Sequence, residues 1–155
     1  MLKLGDRAPA FSLPDQTGSM HSLSDERGHF VLVYFYPKDD TPGCTVEACS
    51  MRDNFPKFKT LNITVFGISV DSVKSHAKFV DKFDLPFTLL ADEEKEVVNA
   101  YGVWGKKKFM GREYMGTART SFLVDPDGKI VKIYESVKPA AHAEEVLEDI
   151  KNLSK

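Results

Sequence analysis

Two stretches of the chain are apolar with almost no polar interruption, Val31 to Tyr36 and Ile63 to Ser69. A run without alternation predicts a strand covered on both faces of a sheet. Between them, from Pro42 onward, Cys44, Ala48, Met51, Phe55 and Phe58 recur at helical spacing and form one inward stripe. Pro56 predicts a kink or a break near Asn54–Phe55. After the second run, Asp71 is placed to cap an amphipathic helix whose buried stripe is Val73, Ala77, Val80 and Phe83 or Phe79. Phe87 to Ala91 reads as a third strand and Glu94 to Tyr101 as a short helix stopped by Gly102. Ser121 to Asp125 and Lys129 to Glu135 flank Pro126-Asp-Gly128, a hairpin signal, and Ala140 to Leu153 closes the chain as a helix with Val146, Leu147 and Ile150 inward. Upstream, Phe11–Leu13 and Met20–Leu23 around Asp15-Gln-Thr-Gly18 read as another β-hairpin. Val103 to Ala118, with Trp104, three consecutive lysines, Arg112 and Tyr114, has no regular pattern. This order implies an α/β protein with a mixed central sheet and helices on both faces, in a single domain spanning residues 1–155.

Composition narrows the function more than the fold. A chain of 155 residues buries roughly 68–70% of its unfolded surface and needs no disulfide scaffold. The 21 basic and 23 acidic side chains leave a net charge of −2, which argues against nucleic acid or an anionic membrane as partner. The first residues lack an apolar signal-like core, and no run has the length of a membrane span, so the expected location is cytoplasmic. In a reducing compartment the two cysteines, Cys44 and Cys49, read as redox-active or buried thiols rather than a structural cross-link. His21, His29, His76 and His142 are scattered, none at ligand spacing, and read as surface or packing residues. No metal, flavin or haem motif is present, so no cofactor is expected.

Phe35 to Arg52 holds both cysteines. Thr41 suits an N-cap and Pro42 the first helical position, which makes Cys44 the third residue of the helix. Backbone N–H groups without intrahelical partners favour a thiolate there. The size of the effect decides what else is needed. An ordinary thiol is only about 3% ionised at pH 7, and a helix N-terminus contributes roughly 0.3–1 kcal/mol, too little to reverse that. A cation must come from elsewhere, and Arg119, Arg52 and Lys38 are the sequence candidates. No histidine stands near Cys44, which disfavours a cysteine-protease reading. On an intact helix, residues five apart have Cα atoms roughly 8.5–9 Å apart, beyond disulfide reach. If both cysteines act together, the first turns must unwind; from spacing alone, Cys49 reads equally well as a bystander.

Pro37-x-x-x-Thr41-x-x-Cys44 resembles the peroxidatic motif of the peroxiredoxins, and Cys49 five residues later is similar to the bacterioferritin-comigratory, or Q-type, branch. The resemblance covers nearly the whole chain, including Gly67-Ile-Ser-Val-Asp71-Ser and Arg119-Thr-Ser-Phe-Leu-Val-Asp-Pro-Asp-Gly128. It implies a thioredoxin-like fold with an N-terminal extension and reduction of hydrogen peroxide and organic hydroperoxides. It further implies a Cys44 sulfenic acid resolved by Cys49 as an intramolecular disulfide, and regeneration by thioredoxin or a similar dithiol. Arg119 matches the family's catalytic arginine. Thr41 would add a hydroxyl contact to bound peroxide, and Pro37 would shape the loop and shield the sulfur. The resemblance leans toward a monomer. Two other functions share parts of this chemistry: a thiol–disulfide oxidoreductase, which usually carries Cys-x-x-Cys, and a stoichiometric peroxide sensor.

Overall fold

The computed structural model describes residues 2–153. The N-terminal hairpin pairs β1 (Ser12–Pro14) with β2 (Met20–Ser22) and leads through a 3₁₀ turn, Leu23–Glu26, into β3 (Val31–Phe35). There follow α1 (Pro42–Thr60), β4 (Thr64–Ser69), α2 (Val73–Phe83), β5 (Thr88–Ala91) and α3 (Glu96–Ala100). The chain ends with β6 (Trp104–Phe109), β7 (Arg112–Thr117), β8 (Ser121–Val124), β9 (Ile130–Tyr134) and α4 (His142–Leu153). The main sheet has the order β5-β4-β3-β8-β9. β3 pairs parallel with β4 and antiparallel with β8, so the sheet is mixed and β3 lies at its centre.

The unbroken apolar run of β3 is explained by burial of all five of its residues. Leu32 and Tyr34 face a core shared with α1, α2 and α4, whereas Val31, Val33 and Phe35 face one closed by α3, Phe11 and Leu23. Gly67, in register with Tyr34 and Leu89, makes this packing possible. A Cβ there would stand 2.8 Å from Tyr34 Cζ and Leu89 Cδ2. These are the mixed sheet, two-sided helical cover and N-terminal hairpin expected from the sequence.

Three expectations need correction. Pro56 does not break α1, which continues to Thr60. Proline removes one N–H, but Phe58 is fully buried beyond it and the Leu61 N–H closes the end on the Lys57 carbonyl, so packing outweighs the lost bond. Asp71 is not the cap of α2. Ser72 is, accepting from the Ser75 N–H at 3.1 Å, while Asp71 accepts from Ser69 Oγ and the Asp39 N–H. Val103–Ala118 is not irregular: β6 and β7 form an antiparallel ribbon turned at Met110 and Gly111, both at positive φ. Its side chains are mostly solvated, so neither face shows the apolar alternation by which a half-buried hairpin is read.

Candidate active site

The β3–α1 loop ends at Thr41, whose extended backbone starts the helix and whose carbonyl accepts from the Thr45 N–H at 2.8 Å. Its hydroxyl makes no capping bond and donates to the Lys38 carbonyl at 2.9 Å, which corrects the expected side-chain cap. Pro37 is half-buried where the chain leaves β3. Cys44 follows as the third residue of α1 and is only 2% exposed.

Arg119, arriving just before β8, brings a guanidinium against the thiol. Its Nη2 donates to Cys44 Sγ at 3.3 Å and its Nη1 to Glu47 Oε1 at 3.0 Å. Neither rival cation hydrogen-bonds Cys44 among the described residues. Arg52 bonds Asp53 and the Phe83 carbonyl, and Lys38 is exposed. Cys49 is half-buried further along the unbroken helix, and both cysteines are free thiols.

Three residues of this site escape a motif reading. Gly43 lets the guanidinium lie against the helix, since a Cβ there would meet Arg119 Nη2 at 3.0 Å. Lys107 reaches back from β6 to donate to the Thr117 carbonyl at 3.0 Å. Its ammonium is held below the usual lysine range by burial and by the Arg119 charge, partly offset by Cys44. Glu47 is fully buried, and its Oε2 has no hydrogen-bond partner among the described residues. Burial pushes its pKa up to about 7, although Arg119 pulls it down. One signal could have found it: Glu47 is an acidic residue three positions from Cys44, on the same helical face.

Glu47 makes a pH-dependent contribution whose sign can be worked out. Its folded pKa of about 7 exceeds the ordinary 4.5, so the stability it contributes is present below about 4.5 and lost as pH rises through about 7. Glu47→Gln, which cannot ionise, should therefore gain on the parent across that interval by roughly 3 kcal/mol. Urea unfolding of both proteins at either end of the interval checks this. A pH-independent difference would remove the burial argument.

A buried thiol at a helix N-terminus, held by an arginine beside the C-terminal end of the central strand of a thioredoxin-like sheet, defines a cysteine-based oxidoreductase. The AhpC/TSA family description matches residues 4–133. Peroxiredoxin Bcp of Escherichia coli K12 is 50% identical over 150 residues, covering 97% of this chain and 96% of that one. Peroxiredoxin Bcp of Bacillus subtilis is 42% identical over 153 residues, covering 99% and 98%. Among solved structures, a cysteine-to-serine mutant of Xylella fastidiosa PrxQ superposes with a TM-score of 0.94 at 33% identity, covering 100% and 99% of the two chains. The Xanthomonas campestris bacterioferritin comigratory protein, described for its alkyl peroxide reduction activity, gives 0.88 at 35%, covering 94% and 92%. The chain belongs to the AhpC/TSA family and is a peroxiredoxin of the Bcp, or Q-type, branch.

Proposed function

We propose that residues 1–155 form one catalytic domain in which Cys44 is the peroxidatic and Cys49 the resolving thiol. The single observation that carries this reading is the Arg119 Nη2 to Cys44 Sγ hydrogen bond of 3.3 Å at the start of α1. Helix N–H groups and guanidinium together favour the thiolate. The thiolate attacks the terminal oxygen of ROOH, the O–O bond breaks, and Cys44 becomes a sulfenic acid while RO⁻ takes up a proton and leaves as ROH. Arg119 stabilises the charge developing on the leaving oxygen. The Thr41 hydroxyl, which donates to the Lys38 carbonyl at 2.9 Å, is proposed to turn to the bound peroxide. Pro37, which has no N–H to offer, shapes the loop and keeps water from the sulfur. Cys49 then displaces water from the sulfenic acid to give the Cys44–Cys49 disulfide, and thioredoxin or a similar dithiol reduces it while being oxidised itself.

Hydrogen peroxide and organic hydroperoxides, alkyl hydroperoxides among them, are the proposed substrates. The enzyme is proposed to act as a cytoplasmic monomer; no described helix is long and apolar enough to cross a membrane. Steady-state assay with a thioredoxin system tests the reading. Peroxide and NADPH should be consumed continuously and in equal amounts. Arrest after one equivalent would make the protein a stoichiometric sensor, and NADPH consumption with a protein disulfide but no peroxide would make it a thiol–disulfide oxidoreductase.

A further inference from the structure

The loop that delivers Thr41 and Cys44 is held from the core side by buried polar groups that take no part in the chemistry above. Asp39 is almost fully buried and His76 completely so. Asp39 Oδ1 accepts from the Tyr36 hydroxyl at 2.5 Å, and Oδ2 accepts from Ser75 Oγ at 2.8 Å and stands 2.7 Å from His76 Nδ1. The Asp39 N–H donates to Asp71 Oδ2 at 2.9 Å, an oxygen that also accepts from Ser69 Oγ at 2.6 Å. The loop is thereby tied to β3, to the β4–α2 junction and, through the imidazole, to β5.

The proton count follows from the partners. His76 Nε2 lies 2.9 Å from the Leu90 carbonyl, which can only accept, so Nε2 carries a proton. Nδ1 faces a carboxylate oxygen, so a second proton is shared between Nδ1 and Oδ2. Asp39, Asp71 and His76 present donor atoms within 4.8 Å of one another, as metal ligands do. Those atoms are nevertheless already engaged with one another and with their neighbours: Asp39 Oδ2 meets His76 Nδ1 and Ser75 Oγ, and Asp71 Oδ2 accepts from Ser69 Oγ and the Asp39 N–H.

The holding stops abruptly in sequence. Asp40 has φ of +56°, is exposed, and meets Lys82 at the surface. At the far side of the cysteines, Met51 is buried and Arg52 Nη1 donates to the Phe83 carbonyl. Between these two anchors lies the stretch that has to unwind if Cys44 and Cys49 are to meet.

We propose that the buried Asp39–His76 pair is a positioning pin, which holds the Pro37–Thr41 loop in its peroxide-ready shape and marks the point beyond which oxidation unwinds α1. Neither residue touches the reacting atoms; both act through the placement of Thr41 and Cys44. The proposal rests on the peroxidase reading above.

Asp39→Asn, with Ser75→Ala as a milder variant that removes one donor and leaves the pair, tests it through the two chemical steps measured separately. Peroxide oxidation of Cys44 in Asp39→Asn should slow on the order of tenfold or more, because small displacements of aligned groups are costly. Disulfide formation from the sulfenic acid should not slow, since it needs α1 to unwind beyond the pin and makes no use of the loop's peroxide-ready shape. Ser75→Ala should move the ratio of the two rates in the same direction by less. Hydrogen exchange supplies a readout independent of turnover: the Asp39 amide should stay protected when the parent is oxidised and lose protection in Asp39→Asn. Equal slowing of both steps, or a parent-like peroxide rate in folded Asp39→Asn, overturns the pin. If Asp39→Asn does not fold, an unchanged rate ratio in Ser75→Ala does the same. A parent that consumes no peroxide would instead sink the peroxidase reading, leaving the loss or retention of amide protection at position 39 in reduced Asp39→Asn to judge the pin.

Discussion

Arg119→Ala should slow the reaction of Cys44 with peroxide by roughly 10²–10³-fold, the scale on which removal of one preorganised donor acts at a developing negative charge. The guanidinium has two duties at once, since Nη2 bonds Cys44 Sγ and Nη1 bonds Glu47 Oε1. Losing it removes thiolate stabilisation and transition-state hydrogen bonds together. It also strands a carboxylate that is fully buried, so the variant should be less stable above the pH at which Glu47 ionises. Arg119→Ala/Glu47→Gln separates the two effects: it should recover stability and leave the rate low. Arg119→Lys should restore only part of the rate, because a single ammonium cannot span sulfur and carboxylate as the planar fork does. Rapid-mixing measurement of Cys44 oxidation, with urea unfolding alongside, reads both. A double variant that regains the parent rate would show that Arg119 matters only for folding.

Cys44→Ser should abolish the first reaction altogether. Cys49→Ser should still consume one equivalent of peroxide and then fail to turn over with thioredoxin. The structural half of this expectation comes from α1, which runs unbroken from Pro42 to Thr60 through both cysteines. Helix geometry places their Cα atoms roughly 8.5–9 Å apart, outside the range a disulfide spans. Oxidation should therefore melt the first turns through Ser50 and leave β3 and β4 intact, since the core they share with α1 loses only Cys44 and Ala48 and the opposite core contains neither cysteine. Hydrogen exchange of the reduced and disulfide forms measures this directly. Equal protection across residues 42–50 would rule out the unwinding, and parent-like turnover in Cys49→Ser would make Cys49 a bystander.

The fully buried strand β3, the Thr41-Pro42 helix start and the motif spacing around Cys44 were legible because each is a local property of neighbouring residues. Burial on both faces writes a continuous apolar run, and a helix N-terminus writes a polar residue followed by proline. Which cation meets the sulfur was not written locally. Arg119 is 75 residues from Cys44, and only the antiparallel pairing of β8 with β3 brings it there rather than Arg52 or Lys38. Glu47, Gly43 and Lys107 were hidden for the same reason, as their roles depend on where that guanidinium lies. Asp39 and His76 look like one loop acid and one helix histidine 37 residues apart until α2 packs beside the β3–α1 loop. The ribbon of β6 and β7 gave no signal because an exposed hairpin buries too little to impose alternation. Sequence thus determined the strands of the main sheet, the helix carrying the thiol and the chemistry that the thiol suits. Tertiary structure alone decided which distant charges surround it, because ion pairs and shared protons depend on distance in space and leave no period along the chain.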